Sequence, residues 1–341
     1  MRIAIVSPLF APSIGGIETV AGLLAREWAK GGNQVVLITD TRQAEAVDVN
    51  LEFTVFRSKP ADEIRTIVSK CDVVVMMCIS LRYLGTIFSC GVPIVISHQT
   101  WYQGCSVREK VAAIIKRALT PFLLNIAPSK AVARHIWGRS FVVGNPFDED
   151  IFFQEEGTTP NPYSIVCLAR LVSDKGVDLA IEACAKLSRE YPELSLTVIG
   201  DGPERKALDL LVAKLDMSSR VCFRGSLQGD VLRAELNRHA IMVVPSRWNE
   251  PYGVVALEGI ACGLVVVGSL GGGLSEAIGE CGVTFKNQDL NDFIDKIRLV
   301  FNDHNLREKY RAHKVQHLAQ LTAPHVANQY MKIIQRYCGR R

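Results

Sequence analysis

Apolar, strand-like runs alternate with helix-patterned stretches from one end of this chain to the other, and that alternation constrains the fold more than any other feature. In the first half the strand candidates are Arg2–Val6, Gln34–Thr39, Leu51–Phe56, Asp72–Met77, Pro93–Ser97, Phe122–Ile126 and Phe141–Val143. The second half offers Ser164–Leu168, Leu194–Ile199, Val221–Phe223, Ile241–Val244, Leu264–Val267 and Val283–Phe285. The runs are continuously apolar, as strands covered on both faces require. The expected fold class is α/β, with two Rossmann-like, doubly wound parallel-sheet domains. A length of 341 residues fits two domains.

The break falls at Pro146–Pro162, which holds Asp148, Glu149, Asp150, Glu155, Glu156, Gly157 and Pro160 and little that forms a core. The expected division is an N-terminal domain over 1–147, a linker over 148–162 and a second domain over 163–322. A final helix, 323–341, is expected to return to the N-terminal domain. Helical patterns close the chain at Asp289–Phe301, His304–Leu318 and Ala323–Tyr337. Doubly wound domains bind ligands at the carboxyl ends of their strands, so two of them facing each other make a cleft. Every candidate residue below follows a predicted strand.

Composition excludes several classes. A net charge of +4 is too mild to indicate a nucleic-acid binder by itself. The ten cysteines show no C-x-x-C spacing and sit mostly in apolar strings, which reads as reduced, buried thiols in a cytoplasmic protein. Met1–Ser7 reads as a first strand rather than a signal peptide. No apolar run reaches the roughly 18 residues of a transmembrane helix without a charge or a turn.

Trp248–Gly263, WNEPYGVVALEGIACG, is the richest segment chemically. Glu250 and Glu258 are separated by seven residues, and Pro251 and Gly253 precede an apolar stretch. That pattern fits a strand-end loop opening into a helix. The unpaired N–H groups of such a helix mouth favour an anion, and a diphosphate suits it. Eight residues of helix separate the two carboxylates by about 12 Å. A hydrolase acid/base pair needs roughly 5–9.5 Å. The wider span suits a long ligand with hydroxyls at both ends and charge in the middle, as in a nucleotide sugar.

Arg170 and Lys175 follow strand Ser164–Leu168 in LARLVSDKG, where two cations beside a helix start would neutralise a diphosphate leaving group. Gly15 and Gly16 follow the first strand and let a ligand approach the backbone, although no G-x-G-x-x-G occurs there. His98 ends a strand in SHQTWYQG, placed to bond a sugar hydroxyl or move a proton, with Gln99, Trp101 and Tyr102 as a polar-aromatic surround. Gly200 opens GDGP after another strand. Arg224, Ser226 and Leu227 lie in FRGSL, where backbone groups border a nucleotide base. Gly271–Gly273 with Glu276 makes a further strand-to-helix turn. Asp148-Glu149-Asp150 is a nominal D-x-D but lies in the expected linker, away from the phosphate cations, so no metal is expected.

These pieces, taken in chain order, resemble the retaining GT-B glycosyltransferases of family 4 (glycosyl transferases group 1). The matching residues are Gly15-Gly16, His98, Asn145 with Asp148, Arg170–Gly176, Gly200–Glu204, Phe223–Gly225, Glu250–Glu258 and the GG-x-x-E ending at Glu276. The resemblance implies that Glu250 holds the donor sugar's hydroxyls and Glu258 the ribose. It implies that Arg170 and Lys175 clamp the diphosphate with backbone around Gly253 and Val254, so that donor contacts run through Tyr252, Gly253, Val254 and Val255. His98 would contact the transferring sugar, and Gly16 would lie against donor phosphate or acceptor. Anomeric configuration would be kept by front-face attack, with no protein nucleophile, cofactor or metal. The implied donor is a UDP- or GDP-sugar, and the implied acceptor a glycan or lipid-linked molecule of cell-surface polysaccharide synthesis. Two positions depart from the family pattern: Gln99 stands where an acid often follows the His, and Asn145-Pro146-Phe147-Asp148 replaces Asn-Gly-Val-Asp.

From Arg82 to Arg139 the only acid is Glu109, against Arg82, Arg108, Lys110, Lys116, Arg117, Lys130, Arg134 and Arg139. Val107–Leu119 sets Val107, Val111, Ile114, Ile115 and Ala118 on one helical face with cations beside it. Two arrangements fit: peripheral contact with anionic lipid, or a helix packed on its own sheet with a solvated outer face. Three other roles compete with glycosyl transfer on this architecture. They are a nucleotide-sugar epimerase or hydrolase, a dinucleotide-dependent oxidoreductase, and a non-catalytic sugar-binding subunit. The missing glycine fingerprint disfavours the oxidoreductase, and the E-x7-E with R-x4-K favours transfer over the rest.

Overall fold

A computed structural model describes residues 1–42 and 51–339. The chain forms two compact units, Met1–Phe147 with Leu321–Arg341, and Asp148–Gln320. The first is built on strands β1 (Arg2–Val6), β2 (Gln34–Thr39), β3 (Thr54–Arg57), β4 (Val73–Met77), β5 (Ile94–Ser97), β6 (Leu124–Ala127) and β7 (Ser140–Val142). Among the described residues they form one sheet in the order β3-β2-β1-β4-β5-β6-β7, and every pairing is parallel. All five residues of β4 are buried, which is the reason VVVMM shows no polar alternation.

The second unit carries β8 (Asn161–Leu168), β9 (Ser195–Ile199), β10 (Val221–Phe223), β11 (His239–Val244), β12 (Val265–Leu270) and β13 (Gly282–Lys286). Their order is β10-β9-β8-β11-β12-β13, again parallel throughout. Its core joins β8, β11 and β13 to helices Val177–Leu187 and Leu290–Asn302 through Ile165, Ile181, Ile241, Phe285 and Phe293, each at most 1% exposed. Side chains of this size each contribute about 1.5–3 kcal/mol when withdrawn from water.

The strand order reverses once in each sheet, between β1 and β4 and between β8 and β11. Neighbouring chain crossovers leave in opposite directions at such a point, and the loops at the carboxyl ends part to leave a crevice. In the second unit the two loops concerned are Ala169–Gly176 and Pro245–Gly253.

The final helix, Ala323–Cys338, belongs to the first unit. Trp28 Nε1, on helix Gly16–Lys30, donates to the Ala327 carbonyl at 3.0 Å, and the Tyr330 hydroxyl lies 2.9 Å from Ser97 Oγ. Residues 148–160, read above as a linker, are instead fastened to the second unit. Phe152 is buried, Glu155 N donates to Asn237 Oδ1 at 2.8 Å, and the Arg233 guanidinium lies 4.4 Å from the Phe153 ring centre. Acidic and proline-rich composition reports a solvated surface, and it does not exclude anchoring by the apolar residues within it.

Candidate functional site

The loops after β8 and β11 are stitched together by backbone. Arg247 N and Trp248 N both donate to the Asp174 carbonyl, at 2.8 and 3.1 Å. Arg247 adds a bidentate pair with Asp178, 2.7 Å at each contact. Burial works against the Asp178 charge, and the guanidinium outweighs it, holding that carboxyl below its ordinary range. Gly176 is in the left-handed region at φ +65, and a Cβ there would lie 2.1 Å from the Pro245 carbonyl oxygen. Only glycine permits this approach. It lets the R-x4-K loop turn directly into helix Val177–Leu187.

This stitching sets Lys175 against Glu250. Lys175 Nζ lies 2.6 Å from Glu250 Oε1, and Ser246 Oγ donates to the same oxygen at 2.7 Å. The Glu250 backbone is held from the other side, its carbonyl accepting from Gly273 N at 2.7 Å. Glu250 thus sits in the loop and not on the helix, which begins at Val254. The spacing estimate above, which ran helix from Glu250 to Glu258, is corrected accordingly: Pro251–Gly253 intervene in a non-helical path. Gly253 is the residue before the helix, and Tyr252 and Val254 are buried while Val255 is half-buried. Burial pushes the Tyr252 hydroxyl pKa up, with the Glu276 charge adding to it.

Glu258 lies on the helix opened by Val254. Its carboxyl is pushed up to about 7, first by burial and then by the neighbouring Asp148 carboxylate. Near neutral pH it is therefore divided between a form that donates a hydrogen bond and one that only accepts. Arg170, in the loop after β8, is exposed, and among the described residues its side chain makes no hydrogen bond or ion pair.

The remaining strand ends form a row beside this cluster. Leu171 N donates to the Asp201 carbonyl at 2.9 Å, and Gly200 N donates to the Gly225 carbonyl at 2.8 Å. A Cβ on Gly200 would lie 1.9 Å from the Ala169 carbonyl oxygen, so this glycine seats the loop that carries Arg170. The Arg224 guanidinium is engaged bidentately by Glu235, at 3.2 and 3.0 Å. Ser226 is exposed and Leu227 half-buried in the loop after β10.

Gly15, Gly16 and His98 belong to the first unit. Gly15 is extended backbone that ends the loop after β1, and its carbonyl accepts from both Thr19 N and Thr19 Oγ1, at 3.1 and 3.0 Å. Gly16 begins the following helix and is exposed.

His98 is fully buried with both ring nitrogens taken: Nε2 is 2.9 Å from Asn125 Oδ1, and Nδ1 is 2.7 Å from the Tyr102 hydroxyl. Asn125 Nδ2 donates to three carbonyls, so Oδ1 is its accepting end and Nε2 carries the proton. Burial lowers the ring pKa to about 4. Tyr102 is likewise buried.

Ser246 and Arg247 were missed by the sequence reading. Both lie in the loop that opens with Pro245 after β11, so the strand-end rule that selected Glu250 was already a sufficient signal for them. A Cβ on Gly272 would lie 2.1 Å from the Glu250 carbonyl oxygen.

Residues 148–316 match the family Glycosyl transferases group 1. A 141-residue stretch is 30% identical to the phosphatidylinositol N-acetylglucosaminyltransferase gpi3 subunit of Schizosaccharomyces pombe, covering 41% of this chain and 31% of that protein. A 144-residue stretch is 35% identical to glycogen synthase of Mycobacterium tuberculosis, covering 42% and 34%. The matches thus span about a third of the length of these curated relatives. The fold is similar to that of HepE from Anabaena, solved in complex with UDP, at a TM-score of 0.83 and 18% identity over 98% of this chain and 100% of that one. The chain therefore has the GT-B fold, and its residues 148–316 are similar to the glycosyl transferases group 1.

Proposed function

We propose that this chain is a retaining glycosyltransferase that moves a hexosyl group from a UDP- or GDP-sugar to a hydroxyl of a glycan or lipid-linked acceptor in cell-surface polysaccharide synthesis. The observation that carries the reading is the Lys175–Glu250 pair at the strand-order reversal of a group 1 domain, with exposed Arg170 in the same loop. The matched solved structures of HepE contain UDP and, in another crystal, UDP-glucose, which supports a nucleotide-sugar donor.

On this reading a diphosphate draws the Lys175 ammonium onto its oxygens, with Arg170 as the second cation and the N–H groups of Val254 and Val255 completing the cradle. Glu250, released from Lys175 but still held by Ser246, takes the sugar hydroxyls. Glu258 accepts from the ribose. The bond between the anomeric carbon and the diphosphate oxygen breaks, and the acceptor oxygen bonds to the same face of that carbon. The acceptor's proton passes to the departing phosphate. Arg170 and Lys175 offset the charge that builds on the leaving group, and no metal is required for that. His98 takes no part in proton transfer and acts as a structural ring.

Incubation of the purified protein with UDP- and GDP-sugars and candidate acceptors, followed by identification of the product linkage, tests the proposal. Transfer with an unchanged anomeric configuration is expected. Release of free sugar alone, or epimerised nucleotide sugar, would favour the rival enzymes.

A further inference from the structure

Helix Val107–Leu119 carries its apolar stripe outward. Val107, Val111, Ile114 and Ile115 are 79, 51, 55 and 44% exposed, and Ala113 is the helix's one buried residue. The more sheltered side holds Ala113 and Leu119, which pack on the core, together with two cations. The Lys116 ammonium lies 5.7 Å from the centre of the Tyr102 ring, and the Arg117 guanidinium lies 4.9 Å from that of Trp137. This outward orientation of the large apolar residues is the reverse of an ordinary surface helix. It overturns the arrangement in which the stripe packs on the sheet.

The charges bordering the stripe are of one sign. On a helix of about 3.6 residues per turn, Arg108 and Lys110 fall on its two sides, and both are exposed. The helix's acid, Glu109, is committed to the N-terminal cap, accepting from Cys105 N and Ser106 N at 2.9 and 3.0 Å. Phe122, 78% exposed, follows in the turn Thr120–Phe122. An apolar stripe of this length needs a cover. A second copy laid on it face to face brings cation against cation, whereas an anionic lipid surface offers hydrocarbon to the stripe and phosphate to its borders.

We propose that helix Val107–Leu119 docks the protein on an anionic bilayer, apolar stripe inward, with Arg108 and Lys110 at the headgroup phosphates. This helix lies in the first unit, whereas Lys175 and Glu250 lie in the second.

The test is flotation of the full chain with phosphatidylcholine vesicles, with and without phosphatidylglycerol. The protein floats with the anionic vesicles at low salt, and much less at high salt or on neutral vesicles. The double substitution Ile114→Ser/Ile115→Ser lowers partitioning by about tenfold or more. Arg108→Gln/Lys110→Gln weakens the salt dependence. Both variants keep the wild-type melting temperature and nucleotide affinity, since all four positions are exposed. The proposal is overturned if the wild type stays unbound on anionic vesicles at low salt, or if the serine variant floats as well as the wild type. It is equally overturned if sedimentation shows a dimer that the serine variant dissolves, because a second copy is then the cover. Nucleotide binding is read separately, so its loss would count against the donor reading alone.

Discussion

Lys175 Nζ stands 2.6 Å from Glu250 Oε1, an ion pair that closes over the strand-order reversal of the second sheet, from the loop after β8 to the loop after β11. The pair holds a cation and a carboxylate against each other, with Ser246 Oγ donating to the same carboxylate oxygen. A diphosphate is a stronger partner for the ammonium than one carboxylate oxygen, and sugar hydroxyls are natural donors to the carboxylate it leaves.

The two members of that pair should fail differently. Lys175→Ala removes a charge-assisted contact of about 1.5–3 kcal/mol and is expected to weaken nucleoside diphosphate binding roughly ten- to a hundredfold by calorimetry. Glu250→Gln keeps the shape and the Ser246 contact but loses the charge. It is expected to lower kcat by about a hundredfold while changing nucleoside diphosphate affinity only a few-fold.

Glu258 gives the protein a pH signature. Its folded-state pKa of about 7 lies above the ordinary carboxylate value, so the folded state holds the proton more tightly than the unfolded chain. The sign follows: stability from this group is full below the unfolded value and falls as pH rises to about 7. Glu258→Gln is expected to melt with the wild type at pH 4 and several degrees above it at pH 8, a gain of about 1–3 kcal/mol. A melting difference that stays constant with pH would refute this assignment.

His98 should behave as a structural residue. Its pKa is lowered to about 4, so the folded state holds the proton less tightly than the unfolded chain, and this group's stabilisation is present above the ordinary histidine value and lost as pH falls toward 4. His98→Ala leaves Asn125 Oδ1 and the Tyr102 hydroxyl without their partner. A loss of about 2–4 kcal/mol in urea unfolding is expected. In the folded fraction, the pH–rate profile between pH 5 and 8 should match the wild type. An intact fold with collapsed turnover would restore a chemical role.

Gly176 should tolerate no side chain. Gly176→Ala meets the Pro245 carbonyl and a left-handed backbone at once. A cost of about 2–4 kcal/mol is expected, with loss of nucleotide binding even where the protein remains folded, because the loop carrying Arg170 and Lys175 must shift.

The strands were legible because burial on both faces writes itself as unbroken apolar runs. β1, β2 and β10 begin and end where the sequence placed them, and β8 begins three residues early, at Asn161 rather than Ser164. Asn161 pairs with His239, and a polar residue followed by proline gives no apolar signal for such a strand start. In the site, residue types at strand ends were readable and their partners were not. His98 is sealed by Asn125, 27 residues away, and no local pattern announces that bond. Helix Val107–Leu119 separates the two kinds of information most clearly. Periodicity stated which residues share a face, while the direction of that face depends on what the rest of the unit offers it. Glu250 was placed on a helix because the helical pattern was extended backward through Pro251–Gly253.

The most direct measurement is calorimetric titration of the wild type and the double variant Arg170→Gln/Lys175→Gln with UDP, GDP and the corresponding nucleosides. The account predicts that the wild type binds at least one diphosphate far more tightly than its nucleoside, and that the variant loses roughly a hundredfold or more of the diphosphate affinity while nucleoside binding is unchanged. Equal diphosphate affinity in the two proteins would contradict it.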